Sequence, residues 1–292
     1  MIRQKNISLR EFTTIKIGGT AADFFLPETR EELAAVLSVC PGAFILGGGS
    51  NLVLGDFSAR AVVSLRALAG GEPRVITEED GRARVRVGGG YLLPELVRWA
   101  AERGLGGLEI LAGIPGTVGG AAVMNAGTPG GSFGDYVLAV EIFHAGELRT
   151  VTDLGYAYRA SALQAGGALA GAAVVSVELA LASGRDAAAL RAAARAVTAK
   201  RASGKIKFPN CGSVFRNPPG GLSAGALLEK AGMKGESAGN LYVSETHANF
   251  FENRGGATFA DFCELLVRAQ ARVREDSGVE LVPEVQVVSD AD

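Results

Sequence analysis

A chain of 292 residues is long for one hydrophobic core, so two or three modules are expected. Lys plus Arg number 29 against 31 Asp plus Glu, a formal net charge of −2, which excludes a basic field able to hold nucleic acid or an anionic membrane and points to a small-molecule partner. Cys40, Cys211 and Cys263 lie far apart without a C-x-x-C pair, which argues against a disulfide framework or a zinc site and for a reducing compartment. "MIRQKNISLREF" has no apolar signal core, and no later stretch reaches the roughly 18 apolar residues of a membrane span, so a cytoplasmic protein without membrane insertion is expected.

In chain order, "ADFFLPETREELAAVLSVCPGAFILGGGSNLVLGD" (22–56) reads as strand, helix, strand and glycine loop. Thr29 and Glu32 form a capping-box pattern ahead of Leu33, Val36 and Leu37 at helical spacing. After "AVVSL" (61–65), "ARVRVG" (83–88) alternates as a strand, and "PELVRWAAERG" (94–104) predicts a helix with Pro94 in its first turn and Gly104 at its C-terminal cap. Alternation recurs in "YVLAVEIF" (136–143), "ELRTV" (147–151) and "AAVVSVELAL" (172–181). The alanine-rich stretch 185–201 predicts a connecting helix with a thin apolar stripe. Beyond it come a short helix in "AGALLEKAG", a longer one carrying Phe262, Leu265, Leu266, Ala269 and Val273 on one face, and a strand over "VELVPEVQVV" (279–288).

Glycine stands at 41 of 292 residues, twice the usual share of about 7 %, and it is clustered rather than periodic. In "LGGGSNLVLGD" (46–56), Gly47, Gly48 and Gly49 with Ser50 and Asn51 suit either a tight surface turn or a concavity of backbone N–H groups for a phosphate. Neither G-x-G-x-x-G nor a P-loop is present. "GIPGTVGGAAVMNAG" (113–127) is longer and more apolar than a plain turn, and its small residues would let a flat ring and a pyrophosphate lie against main chain. A third stretch, "NCGSVFRNP" (210–218), offers Ser213 as nucleophile, phosphate cradle or turn residue.

Taken in order, "FTTIKIGGTAADFFLP" (12–27), "ILGGGSNLVL" (45–54), "LEILAGIPGTVGGAAVMNAG" (108–127), Tyr158 and Arg159 with Ser161, "NCGSVFRNP", "AGALLEKAGMKG" (224–235), "VSETHANFFEN" (243–253) and "PEV" (283–285) resemble the motifs of the UDP-N-acetylenolpyruvoylglucosamine reductase (MurB) family. Their spread and order make the match specific. The compact stretch between Arg159 and the alanine-rich helix is similar to the shorter type of the family, which lacks a substrate-clamping tyrosine loop. The resemblance implies an α+β fold. Residues 1–66 and 67–200 would form a two-part FAD-binding module of the MurB and vanillyl-alcohol-oxidase-like type, and residues 201–292 an α+β module for a UDP-sugar. It further implies FAD, NADPH as hydride donor, and reduction of UDP-N-acetyl-enolpyruvoylglucosamine to UDP-N-acetylmuramate in peptidoglycan precursor synthesis. A monomer is expected. Neither glycine cluster holds a histidine or cysteine that could bond a flavin covalently.

FAD contacts are then expected from Gly47, Gly48, Gly49, Ser50 and Asn51, and from Gly113, Ile114, Pro115, Gly116, Thr117, Gly119, Gly120, Asn125, Ala126 and Gly127. The implied substrate is an enol ether conjugated to a carboxylate, and hydride addition at its terminal carbon leaves charge on the neighbouring carbon and the carboxyl oxygens. The family pattern gives Arg159 the role of a cationic fork on that carboxylate, where otherwise a surface ion pair is the commoner fate of an arginine. Glu284 points to solvent by alternation or, facing the substrate, is driven toward its protonated form by repulsion and burial. Ser213 is the implied proton donor; no histidine stands in triad order with it. Tyr158, Arg216, Asn217, His247 and Asn249 resemble substrate-side positions, and Lys200, Lys205 and Lys207 are all candidates for the substrate phosphates because "SGKIKFPN" (203–210) departs from the family's Lys-Gln-Pro-Leu stretch. No metal site is expected. Two other functions stay open at this point: another FAD-dependent oxidase or dehydrogenase on the same scaffold, which should lack the Ser213 and Glu284 motifs, and a non-redox nucleotide-sugar binding protein, which should be colourless.

Overall fold

The computed structural model describes residues 1–57, 60–68, 70–202 and 206–290. The chain forms two compact units that do not follow its order: Met1–Lys5, Asp23–Gly48 and Arg60–Ser203 make the first, and Asn6–Ala22, Gly49–Ala59 and Gly204–Asp292 the second.

In the first unit a five-stranded antiparallel sheet runs in the order Glu147–Val151, Val137–His144, Ala173–Ala182, Arg82–Gly88, Arg74–Glu79. The sequence alternation is realised directly in Arg82–Gly88, whereas Ala173–Ala182, read as alternating, is the central strand and is buried on both faces. In Arg82–Gly88 the residues Ala83, Val85 and Val87 are buried while Arg82 and Arg84 face solvent, as a period of two demands. Helix α1 (Arg30–Val39) begins at Thr29, whose hydroxyl accepts the Glu32 N–H at 3.2 Å. It lies beside short parallel strands, Phe44–Leu46 and Val62–Ser64, with Phe24 and Phe25 in register against Val62 and Val63. Helix α2 (Leu93–Glu102) has Pro94 in its first turn and buries Leu93, Leu96, Val97 and Ala100 at helical spacing, each contributing up to about 1.5–3 kcal/mol for the larger side chains. Gly104, with φ +69°, closes it. The short α3 (Val118–Met124) lies within the second glycine cluster, and α4 (Ala187–Ala202) packs on α2 and on the turn Leu108–Leu111.

The second unit is built around α5 (Ala224–Lys230) and α6 (Phe259–Ser277). Thr258 and Asp261 exchange side-chain and backbone bonds at the start of α6, and Phe262, Leu265, Ala269 and Val273 form its buried face. That face meets a small antiparallel sheet, Ser237–Ala238, Leu241–Val243 and Phe251–Asn253. Phe251 packs edge-on against Phe215 at 6.3 Å between centroids and tilted against Phe262 at 5.6 Å. Ile15, Ile17 and Val53, remote in sequence, complete this core.

The strand expected over 279–288 is shorter than its pattern: only Gln286–Val288 pairs regularly, parallel to Leu52–Leu54. Pro283 has no N–H to donate and makes only an isolated bridge with Phe215. Glu284 therefore sits at the mouth of the strand rather than inside it.

Candidate active site

Within the first unit Gly47 and Gly48 meet the second glycine cluster, main chain against main chain. A Cβ built on Gly48 would fall 2.5 Å from the Cα of Gly116, and one on Gly47 would fall 3.0 Å from the Thr117 hydroxyl oxygen. Thr117 caps α3 by accepting the Gly120 N–H at 3.3 Å. The loop around it is anchored by Leu93 N–H on the Gly116 carbonyl, Val118 N–H on Tyr91 and Gly119 N–H on Gly89. Arg66 donates to the Gly48 carbonyl at 3.3 Å, placing a cation at this wall.

Asn125 ends α3 with a left-handed φ of 44° and is buried. Its Nδ2 donates to the Ala157 carbonyl at 2.8 Å and its Oδ1 accepts the Gly134 N–H at 2.9 Å. The amide thus ties the end of the cluster, Ala126 and Gly127 included, to the segment carrying Tyr158 and Arg159. Arg159 donates to the Gly127 carbonyl at 2.9 Å and lies over the exposed Tyr158 ring at 5.3 Å. Its φ of 52° is strained for a non-glycine residue, a conformation that concentrates at functional sites.

Arg201, in the last turn of α4, was not singled out by its sequence context. Its stem lies over Gly113, and partial burial first, then the charge of Arg159, holds its guanidinium below the ordinary arginine value. Lys200 precedes it in α4; Lys207 is exposed in the second unit, and Lys205 lies outside the described residues.

In the second unit Ser213 opens an extended segment held on both sides. Val214 N–H donates to the Asn249 carbonyl at 2.9 Å, and the Val214 carbonyl accepts from Glu284 N–H at 2.8 Å. The Asn249 amide clamps Phe215 twice, its Oδ1 accepting Phe215 N–H at 2.9 Å and its Nδ2 donating to Phe215 O at 2.8 Å. Val214 and Phe215 are fully buried, so the core fixes this segment and leaves Ser213 at the partly open end. Cys211, two residues earlier, is buried, and burial pushes its thiol up to about 12.

Asn51 follows Gly49 and Ser50 on the first glycine loop. Its Nδ2 donates to the Glu284 carbonyl at 3.0 Å, and its own carbonyl accepts from Gln286 N–H at 3.0 Å. Gly49 itself needs a left-handed φ of 66°, and any Cβ there would fall 1.8 Å from the Phe12 carbonyl oxygen. Arg216 has its Nε buried without a hydrogen-bond partner among the described residues. Asn217 is exposed, and its Oδ1 accepts the N–H of Ala224, the first residue of α5, at 3.0 Å, while Ser223 caps the helix. The exposed His247 accepts Asn249 N–H on Nδ1 at 3.2 Å, stacks edge-on with Phe250, and lies so near Gly225 that a Cβ there would meet its ring at 2.8 Å.

Among the described residues no group of three His, Cys, Asp or Glu side chains could hold a metal ion, and no helix is long and apolar enough to cross a membrane. The chemistry of the first unit fits a different group. A wall of glycine main chain admits a flat ring and a pyrophosphate without an intervening side chain. Arg66 supplies positive charge beside it, and in the same unit Tyr156, whose ring lies against Gly134, has a buried hydroxyl with no hydrogen-bond partner among the described residues. These residues fit FAD.

The class defined by this architecture is a protein with a flavin-binding scaffold and a second compact unit, and a model of the FAD binding domain matches residues 21–152. A model of the UDP-N-acetylenolpyruvoylglucosamine reductase C-terminal domain matches residues 204–288. The chain is 42 % identical over 286 residues to the UDP-N-acetylenolpyruvoylglucosamine reductase of Heliobacterium modesticaldum, covering 96 % of this chain and 88 % of that one. It is also 42 % identical to UDP-N-acetylenolpyruvoylglucosamine reductase 2 of Symbiobacterium thermophilum, over 96 % and 90 % of the two chains. The crystal structure of the Thermus caldophilus enzyme superposes with a TM-score of 0.79 at 36 % identity, covering 98 % of each chain. The chain belongs to the UDP-N-acetylenolpyruvoylglucosamine reductase family.

Proposed function

We infer that this chain is an FAD-dependent reductase that uses NADPH to convert UDP-N-acetyl-enolpyruvoylglucosamine to UDP-N-acetylmuramate, a step in peptidoglycan precursor synthesis, and that it works in the cytoplasm as a monomer. The observation that carries the assignment of roles is the hydrogen-bonded junction at Val214, which brings the Ser213 and Glu284 backbones side by side. FAD, when bound, would supply hydride transfer from NADPH to the enol ether's terminal carbon. The residues of the chain do the rest. Gly47 and Gly48 with Gly116, Thr117 and Gly120 hold the cofactor, joined by Gly49 and Ser50 and by the 113–127 cluster.

Arg159, fixed by Gly127 and Tyr158, holds the substrate carboxylate and stabilises the charge that develops on it. Glu284 shares a proton with the same oxygens. Ser213 delivers a proton to the substrate carbon left electron-rich, a role open to a weak acid because that carbon is a strong base. Asn217 binds the pyrophosphate through its exposed amide, with positive charge from Arg216 and from one of Lys200, Lys205 and Lys207. Asn249 and His247 act on the substrate side, Asn249 by clamping Phe215 and so aiming Ser213.

The test is spectroscopic. Under anaerobic conditions NADPH should bleach the visible absorbance of the bound flavin, and UDP-N-acetyl-enolpyruvoylglucosamine should restore it. Protein that neither retains nor takes up FAD, or whose flavin the enolpyruvyl sugar leaves reduced, overturns the assignment.

A further inference from the structure

Within the second unit, Thr14 stands between the first glycine loop and the serine segment. Its N–H donates to the Gly49 carbonyl at 3.0 Å, and its hydroxyl donates to the Asn210 carbonyl at 2.7 Å. A hydroxyl carries one proton, so its 3.5 Å approach to the Gly49 oxygen is a contact rather than a second full bond. Asn210 closes its own turn, with Oδ1 accepting Gly212 N–H at 3.1 Å and Nδ2 donating to the Phe208 carbonyl at 2.9 Å. Gly212, at φ 78°, then delivers the chain into Ser213.

Downstream of Ser213 the segment is gripped by Asn249 and Glu284, and upstream by Asn253 N–H on the Pro209 carbonyl. Between Pro209 and Ser213, the Thr14 hydroxyl reaches the turn from outside and, among the described residues, holds it to the loop containing Gly49. We propose that Thr14 is a positioning residue for proton delivery: its hydroxyl sets the turn 210–212 against the glycine loop and thereby aims Ser213 at the substrate. The proposal rests on the reading of Ser213 as proton donor.

Thr14→Val keeps the shape and the backbone bond to Gly49 while removing the hydroxyl proton, and Thr14→Ser keeps the proton. In the FAD-loaded enzyme, Thr14→Val should leave FAD affinity and NADPH-driven flavin reduction within about twofold of wild type and slow reoxidation by the enolpyruvyl sugar roughly five- to tenfold, the factor one net hydrogen bond supplies. Amide hydrogen exchange at Gly212 and Ser213 should quicken in Thr14→Val, and Thr14→Ser should restore both quantities. Unchanged reoxidation in Thr14→Val overturns the proposal. So does equal slowing of both half-reactions, which marks a merely structural role, or a Thr14→Ser variant as slow as Thr14→Val. A wild-type flavin that the substrate fails to reoxidise overturns the underlying assignment, and it is seen before any variant is made.

Discussion

Gly48→Ala puts one methyl group where the two glycine clusters touch. The added Cβ would lie 2.5 Å from the Gly116 Cα, 3.0 Å from its carbonyl carbon and 3.2 Å from the Thr117 nitrogen, all main chain. Carbon atoms pack at about 3.5–4.0 Å, so the loops must part by roughly 1 Å. Neither side is the free end of a flexible side chain, and overpacking of this kind costs about 1–3 kcal/mol. Gly48 needs no left-handed φ, which makes the penalty steric alone. The displaced wall is the one assigned to the cofactor, so FAD affinity should fall by at least about tenfold, or 1.4 kcal/mol. Gly42→Ala is the control: a Cβ there meets nothing within 4 Å, and stability should hold or rise slightly. Urea denaturation of the apoprotein and FAD titration by flavin fluorescence measure the two quantities. A Gly48→Ala protein as stable as wild type refutes the packing argument, and one that is destabilised yet binds FAD normally refutes the placement of the cofactor.

Ser213→Ala should leave flavin reduction by NADPH nearly intact and slow reoxidation by the enolpyruvyl sugar by about 10²- to 10⁴-fold, as loss of a general acid does; Ser213→Cys should recover part of it in stopped-flow traces. FAD should be released by acid precipitation, leaving a colourless pellet, because the two glycine clusters contain no histidine or cysteine to bond it. Glu178 is buried in the five-stranded sheet; burial opposes its charge, but hydrogen bonds from Arg86 and Arg84 outweigh that and hold its carboxyl below the ordinary value. A depressed carboxylate stabilises the fold above its unfolded pKa of about 4.3 and loses that contribution as pH falls through the folded value. Glu178→Gln should therefore cost about 2 kcal/mol at pH 7 and progressively less below about pH 4, read from urea midpoints; a gap that does not narrow counts against the ion pair as its cause.

Much of the secondary structure is legible because its periodicity is strong. Arg82–Gly88 declares itself by alternation, Ala173–Ala182 by its β-type composition although it is buried on both faces, α2 by apolar spacing with Pro94 and Gly104 at its ends, and α6 by its apolar face. What local pattern cannot carry is which distant segments share a core. Ile15, Ile17 and Val53 pack with Phe215, Phe251 and Phe262, although about 150 residues of another compact unit intervene between Val53 and Phe215. The short final strand was also masked, since its apolar composition hid the missing N–H of Pro283.

The candidate site divides along the same line. The glycines could be found because a main-chain wall requires small residues, and the composition shows them directly. Side-chain amides are harder to read, since Asn125, Asn51 and Asn249 have the residue type of ligand contacts yet in the structure make bonds to Ala157, Glu284 and Phe215 main chain. An amide that fixes a loop and an amide that touches a ligand look alike in sequence, because both roles need the same donor and acceptor. Their present geometry gives each a testable office: Asn125 links the second glycine cluster to the arginine segment, Asn249 grips the serine segment, and Asn51 ties the first glycine loop to the Glu284 backbone. Of the reacting groups proposed here, Glu284 accepts such an amide bond on its own carbonyl, and Arg159 and Ser213 each lie two residues from one. The proposed catalytic geometry is thus set at the backbone, one step removed from the side chains assigned to the chemistry.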